Sequence, residues 1–367
     1  MLRKILPIML CAISSVCLNA QNASTSQKSG DELTLYMGTY TQKESKGVYT
    51  FAFNQNTGEW LALSATEIGN PSYLVHNKAV TNMYVIGEFG EGKAGVTAYK
   101  VDNKSGEMTF LNKRPDIGHG PCYVSVVHDM VIVGNYGSGD IACYKIQSDG
   151  SLGEGSAVEI LDRPAADAYR IHAVVPSPDE RFLFATDLGA NCVYSFKLQE
   201  GSAPVYQGRL DLPQGCGPRH MVFSVDGKFA YLVTEKSDEV MTLSYDAEKG
   251  ELKILQILKM QEIDAHGGGD IRVSPDGRFV YASDRLVNDG IAIFEVQNDG
   301  VLMRIGYQPT LIHPRNFAIT PNGRYLLAAC RDGNAVQVFE RNAHTGLLNE
   351  VNRIPCPEVV CVKMQQR

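Results

Sequence analysis

One eight-residue turn motif recurs along the chain at nearly constant spacing, and it constrains the fold more than any other feature. Ser274-Pro275-Asp276-Gly277-Arg278-Phe279-Val280-Tyr281 matches Thr320-Pro321-Asn322-Gly323-Arg324-Tyr325-Leu326-Leu327 throughout. Ser224-Val225-Asp226-Gly227-Lys228-Phe229-Ala230-Tyr231 and Ser177-Pro178-Asp179-Glu180-Arg181-Phe182-Leu183-Phe184 are two further copies. A second mark, a glycine turn, falls at Gly58, Gly106, Gly150, Gly201, Gly250, Gly300 and Gly346, with successive spacings of 48, 44, 51, 49, 50 and 46 residues. Each unit reads as strand a, a Pro-Asp-Gly turn, strand b, a loop, strand c, the glycine turn and strand d. Seven such units predict an all-β chain, a seven-bladed β-propeller with four-stranded blades. The repeated Asp and Arg of the turns are therefore read as structural.

The first unit is incomplete. Residues 33–40, 48–54 and 60–68 supply three strands, and a lone apolar run, 359–364, ends the chain. The C-terminal run is expected to become the inner strand of blade one, which closes the ring and removes an open sheet edge. Composition agrees: 35 Gly, 17 Tyr and 13 Phe suit short strands and turns, and no long Ala/Glu/Lys/Leu stretch supports a helical bundle.

Residues 1–20 stand apart. Arg3 and Lys4 precede an apolar stretch too short to span a bilayer, and Ala20-Gln21 offers a small residue at the cut. This predicts a cleaved signal peptide over 1–20, a mobile leader over 21–31, and a propeller domain over 32–367, exported to the periplasm with no membrane span in the mature chain. The formal net charge of −7 and the absence of a basic stripe argue against a nucleic-acid partner. Of nine cysteines, Cys11 and Cys17 leave with the signal. The remaining seven are an odd number without CxxC spacing and read as buried small hydrophobes. The stretch 90–95 fits GxGxxG but joins two strands with no helix after it, so it is a loop. No P-loop or Gly-x-Ser-x-Gly elbow occurs, and the eight His show no HxH or HExxH spacing. No metal or other cofactor is expected.

Propeller topology locates a site. Residues just before strand a or just after strand b ring one mouth of the central channel, and the Pro-Asp-Gly turns lie at the other end. Blade by blade that mouth collects Glu88; His119, Asn135 and Tyr136; His172 and Asp187; Arg219, His220 and Glu235; His266, Asp270, Asp284 and Arg285; and Arg315, Asn316 and Arg331. Such a set of Arg, carboxylate and His can bind an anionic small molecule, steady an oxyanion and move a proton. His119, Asn135, Tyr136, Asp187, His220, Arg315 and Arg331 are expected to contact substrate. As rim residues, these side chains are expected to support little of the core.

Several stretches carry a resemblance: Gly38-Thr39-Tyr40-Thr41 with Ser45-Lys46-Gly47-Val48-Tyr49, Asn135-Tyr136-Gly137-Ser138-Gly139, Gly217-Pro218-Arg219-His220-Met221, Val233-Thr234-Glu235, Ser283-Asp284-Arg285 and His313-Pro314-Arg315-Asn316-Phe317. In these the chain resembles the 6-phosphogluconolactonase-type lactonases, seven-bladed propellers related to the carboxy-muconate lactonizing enzymes. The resemblance runs from about residue 33 to residue 364. It implies hydrolysis of a sugar-acid lactone, with His172, Arg219, Glu235 and Arg285 as the active-site set. Cys330-Arg331 departs from the Asn-Gln frequent in the family and adds a charge to the rim. An export signal sits uneasily with a cytoplasmic phosphorylated lactone and points toward another lactone. Either Glu235 or His172 is the base; the two arginines weaken the former, and the latter suits neutral pH. Reversible lactonization of a carboxylated diene and a non-enzymatic ligand-binding propeller are the alternatives.

Overall fold

The computed structural model describes residues 30–89, 94–102 and 104–367. The predicted signal peptide, most of the predicted leader and residues 90–93 lie outside the described residues. The described chain forms seven four-stranded antiparallel sheets and no helix. Within six blades the strands follow sequence order from the axis outward. In blade four, for example, Ile171–Pro176 is innermost, followed by Phe182–Asp187, Cys192–Lys197 and Val205–Asp211.

Blade one is the exception and matches the expected closure. Val359–Gln366 lies inside Glu32–Thr39, which is followed by Gly47–Asn54 and Trp60–Glu67. The terminal pairing is antiparallel, with Leu35 opposite Met364 and Met37 opposite Val362. The first and last described strands thus share one sheet, and unfolding either of them opens the ring.

Alternation along the inner strands places apolar side chains between blades. Middle strands such as Phe182–Asp187 and Phe279–Asp284 are buried at every position, as strands covered on both faces should be. The repeated glycine turn has a packing reason. Gly346 has φ 72°, and a Cβ there would meet the Phe279 ring at 2.4 Å, while Tyr281 of the same preceding blade donates its hydroxyl to the Gly346 carbonyl at 2.8 Å. Tyr231 makes the same bond to Gly300 at 3.0 Å. Six of the seven turns therefore dock on an aromatic residue of the blade before them; at Gly201 a Cβ would meet nothing within 4 Å. The Pro-Asp-Gly turns are structural as read: Ser177 Oγ donates to Asp179 Oδ1 at 2.6 Å, and Arg181 Nε donates to Asp179 Oδ2 at 2.8 Å. All seven described cysteines are buried and unpaired.

Candidate functional site

At the mouth opposite those turns, the inner strands carry a shared irregularity. In blades two, three, four, five and seven the register slips at the second residue of strand a. The extra residues are Ser72, Cys122, His172, Arg219 and Arg315. A bulge of this kind frees one residue from the ladder and re-aims its side chain. Proline occupies the strand's first position in four of the five blades, at Pro71, Pro121, Pro218 and Pro314, where its missing N–H costs no ladder bond. Around this ring stand the residues that follow strand b: Tyr40, Glu88, Tyr136, Glu235 and Arg285.

Glu235 joins two blades. Its Oε2 accepts from Arg219 Nε at 2.9 Å and from Arg285 Nη2 at 2.6 Å. Arg219 and Arg285 are almost wholly buried, at 1% and 4% exposure. The second donors of both arginines reach the run Gly267-Gly268-Gly269. Arg219 Nη1 donates to the Gly269 carbonyl, and Arg285 Nε donates to the Gly267 carbonyl at 3.0 Å. Only glycine passes here: a Cβ on Gly268 would lie 2.0 Å from the Thr234 carbonyl, and one on Gly267 would lie 1.9 Å from that of Arg285. The run replaces the first part of strand a in blade six, whose ladder is cut to Ile271–Val273, and presents carbonyls to the guanidiniums.

Burial raises the Glu235 carboxyl, but Arg219, Arg285 and Arg315 together outweigh it and hold the group below its ordinary value. Burial, then Arg219 and Arg315, push Arg285 down to about 9. His172 is buried with its ring 5.5 Å from Tyr136 and 5.3 Å from His220, centroid to centroid. Burial first, and then Arg219, hold this imidazole well below its usual range, so it is neutral. On the far side, Tyr40 donates to Glu88 Oε2 at 2.8 Å, and Arg315 lies over the Tyr40 ring at 5.6 Å with Nη2 3.9 Å from Glu88 Oε1. Burial alone would lower Arg315; Tyr40, Glu88 and Glu235 raise it instead.

Beneath the mouth lies a second layer. His220 Nδ1 meets Asp270 Oδ1 at 2.8 Å, and Asp270 Oδ2 accepts from Asn316 at 2.6 Å and pairs with Arg272 at 2.9 Å. Two clefts open beside Glu235. One of about 390 Å³ runs past Tyr136, Arg170 and Lys236, and one of about 340 Å³ past Lys236, His266 and Leu286. Among the described residues no three His, Cys, Asp or Glu side chains converge as a metal site.

The family model for seven-bladed β-propeller lactonases matches residues 34–364. The chain belongs to this lactonase family. It is 36% identical to a 6-phosphogluconolactonase of Bacillus subtilis, over 89% of this chain and 97% of that protein. A Bacteroides fragilis protein crystallised as a candidate 6-phosphogluconolactonase is 38% identical, with a TM-score of 0.88 over 93% of this chain and 100% of that one. The periplasmic gluconolactonase of Pseudomonas aeruginosa is 29% identical, with a TM-score of 0.84 over 91% of this chain and 99% of its own.

The lactonase mouth brings together His172, Arg219, Glu235 and Arg285, as the sequence pattern places them, with Tyr136 and Arg315 beside them. Other expected substrate contacts do not join. Asn135 and Asp187 end strand b one residue too early, so alternation turns them into the blade. Asn135 Nδ2 bonds the Ile117 carbonyl and Asp140 Oδ1, each at 2.6 Å. Asp187 Oδ1 accepts the backbone N–H groups of Arg170, Gly189 and Ala190 at 2.8, 3.1 and 3.0 Å. His220 is in the buried second layer. His119 is exposed on the blade-three loop, its N–H donating to Ser138 at 3.0 Å. Arg331 forms a two-bond pair with Asp332, both at 2.8 Å. Arg219 also departs from the expectation of a wet rim residue, being among the largest fully buried side chains.

The residue reading missed Tyr40 and His313. The His313 ring approaches Arg285 Nη1 with Nε2 at 3.2 Å and Asp332 with Nδ1 at 3.3 Å, which orients the guanidinium. Its signal was available, because His313 directly precedes the Pro-x pair that marks the bulge in blade seven.

Proposed function

We propose that this lactonase hydrolyses the ring ester of a sugar-acid lactone of the 6-phosphogluconolactone type, and that its substrate is anionic. The observation that carries the reading is the buried Arg219–Glu235–Arg285 bridge at the channel mouth with Arg315 beside it. Three guanidiniums face two carboxylates, Glu235 and Glu88, and the histidines beside them are held neutral. The excess positive charge favours both an anionic ligand and the oxyanion that forms when water attacks a lactone carbonyl. Arg219 Nη2 has no partner among the described residues, so it is a preset donor for that oxygen. His172 can bond the lactone or the water without adding charge. The activities named for the Bacillus and Pseudomonas relatives support the same chemistry, and the name of the latter also supports export of this chain through residues 1–20.

A panel of glucono-δ-lactone, its 6-phosphate and lactones without a sugar ring tests the activity, with spontaneous opening subtracted in a pH-stat. Turnover of the sugar lactones is the expected result, and the 6-phosphate, used as the panel's anionic probe for an exported enzyme whose own lactone differs, should be favoured in kcat/KM over the uncharged one. Background rates on every lactone would refute the reading, and preference for the uncharged lactone would refute the anionic substrate. Mass spectrometry of the protein from its host tests export: a chain starting near Gln21 is expected, and an intact Met1 in the cytosol would refute it.

A further inference from the structure

Opening a lactone requires a group that takes a proton from water, and the bridge supplies one poorly. Glu235 keeps one oxygen free among the described residues, but the two guanidiniums bonded to its Oε2 hold the carboxyl below its ordinary value and weaken it as a base. Protonated His172 would be a buried cation beside Arg219. A second carboxylate stands at the same mouth. Glu88 follows strand b of blade two, the place in its blade that Glu235 holds in blade five. Tyr40 orients it through Oε2, while Oε1 has only Arg315, at 3.9 Å and beyond hydrogen-bond reach. The carboxylate is thus fixed by one oxygen and keeps the other for water, with 17% of its side chain exposed. The buried thiol of Cys122 experiences the charges of Glu88, Arg219 and Arg315 together, which sets Glu88 in one neighbourhood with the arginines.

We propose that Glu88 is the general base of this lactonase, oriented by Tyr40, and that Glu235 instead holds the arginines in place. The inference rests on the lactone-hydrolase reading. In the step, the water oxygen bonds the ring carbonyl carbon as Glu88 takes one water proton. The bond from that carbon to the ring oxygen then breaks, and Glu88 returns the proton to the departing ring oxygen. The sum is lactone plus water to hydroxy acid, with the base regenerated. Burial keeps the Tyr40 phenol protonated far above neutral pH, so it remains a donor throughout.

The test compares the full-length wild type with Glu88→Gln and Tyr40→Phe on the best sugar lactone of the panel, reading kcat, KM, the pH profile of kcat and the thermal midpoint. Glu88→Gln is expected to lose about 10²–10⁴-fold in kcat, the usual worth of a positioned base, with KM and thermal midpoint little changed and the acidic limb of the profile gone. Tyr40→Phe keeps the carboxylate but removes the bond that orients it, so kcat should fall while KM and the thermal midpoint stay near wild type. Wild-type kcat in Glu88→Gln, or a surviving acidic limb, overturns the assignment. Should Glu88→Gln not fold, a wild-type kcat in Tyr40→Phe overturns it alone. Failure of the wild type on every lactone would instead remove the reading on which the assignment rests.

Discussion

Replacing Glu235 by Ala should destabilise the propeller as well as impair its chemistry. The substitution leaves Arg219 and Arg285, 1% and 4% exposed, facing each other without their shared carboxylate. Removing one partner of a buried ion pair costs about 3–5 kcal/mol, chiefly through the charge left behind. The Glu235 side chain is 26% exposed, so channel water reaches the vacated place and the lower half of that range applies. With an unfolding entropy of about 2.1 cal/mol/K per residue, the 367-residue chain loses about 0.8 kcal/mol of stability per kelvin near its midpoint, so the thermal midpoint should fall by about 4–5 °C. Glu235→Gln keeps an acceptor oxygen for one arginine and should fall by less. Adding Arg285→Met to Glu235→Ala removes one stranded cation and should restore part of the loss, since apolar replacement of a buried pair is often neutral. Calorimetry gives the midpoints, and urea unfolding with equal slopes confirms that the same transition is compared. A Glu235→Ala midpoint within 1 °C of wild type would show that the arginines are adequately solvated from the channel. The bridge would then not be part of the folded core.

Arg219→Ala should lower kcat on the sugar lactone by about 10²–10³-fold, the cost of one oxyanion donor; a wild-type kcat would remove Arg219 from the active site. Removing the residues after Pro357 deletes the inner strand of blade one and its ladder to Glu32–Thr39, so the truncated chain should show no cooperative unfolding transition by circular dichroism. A native-like melt would refute closure as a folding requirement. His76, His220 and His313 are held down to about 4, 3 and 3, each chiefly by burial. At these three groups the unfolded chain therefore binds more protons than the folded one between about pH 6.5 and these values, and their contribution to stability should fall as pH drops through that window and be flat above it. Asp116 and Asp284, raised chiefly by burial to about 6 and about 8, act in the opposite sense, so urea midpoints of wild type and His76→Phe at pH 7.5, 6 and 5 isolate the histidine share: the wild type should lose more stability by pH 5 than the variant, and equal losses would refute it.

The ring was legible because a repeat near 48 residues leaves few architectures open, and the three-strand first unit required the C-terminal strand to complete it. Most of the mouth was legible for the same reason, since His172, Arg219, Glu235 and Arg285 occupy equivalent ends of strands a and b. The errors arose where one residue changes the face. Asn135 and Tyr136 are neighbours, yet the first caps a loop inside the blade and the second stands beside His172. Alternation at the end of strand b separates them, and a rim read as a stretch of residues does not respect it. On strand a the bulge shifts that alternation by one, so Arg219 and His220 fall in different layers. The mark was present as a proline two residues before Tyr73, Tyr123, His220 and Asn316, whose shared place becomes plain only when the blades are aligned by their ladders. The depth of Arg219 was harder to read. It follows from Gly267-Gly268-Gly269, which lets the backbone of the next blade come close enough to receive a guanidinium. Sequence spacing places an arginine at the mouth, but its burial is decided by what the neighbouring blade lacks there. A side chain at residue 268 would push the blades apart at the Thr234 carbonyl, and the bridge from Arg219 through Glu235 to Arg285 would lose its geometry.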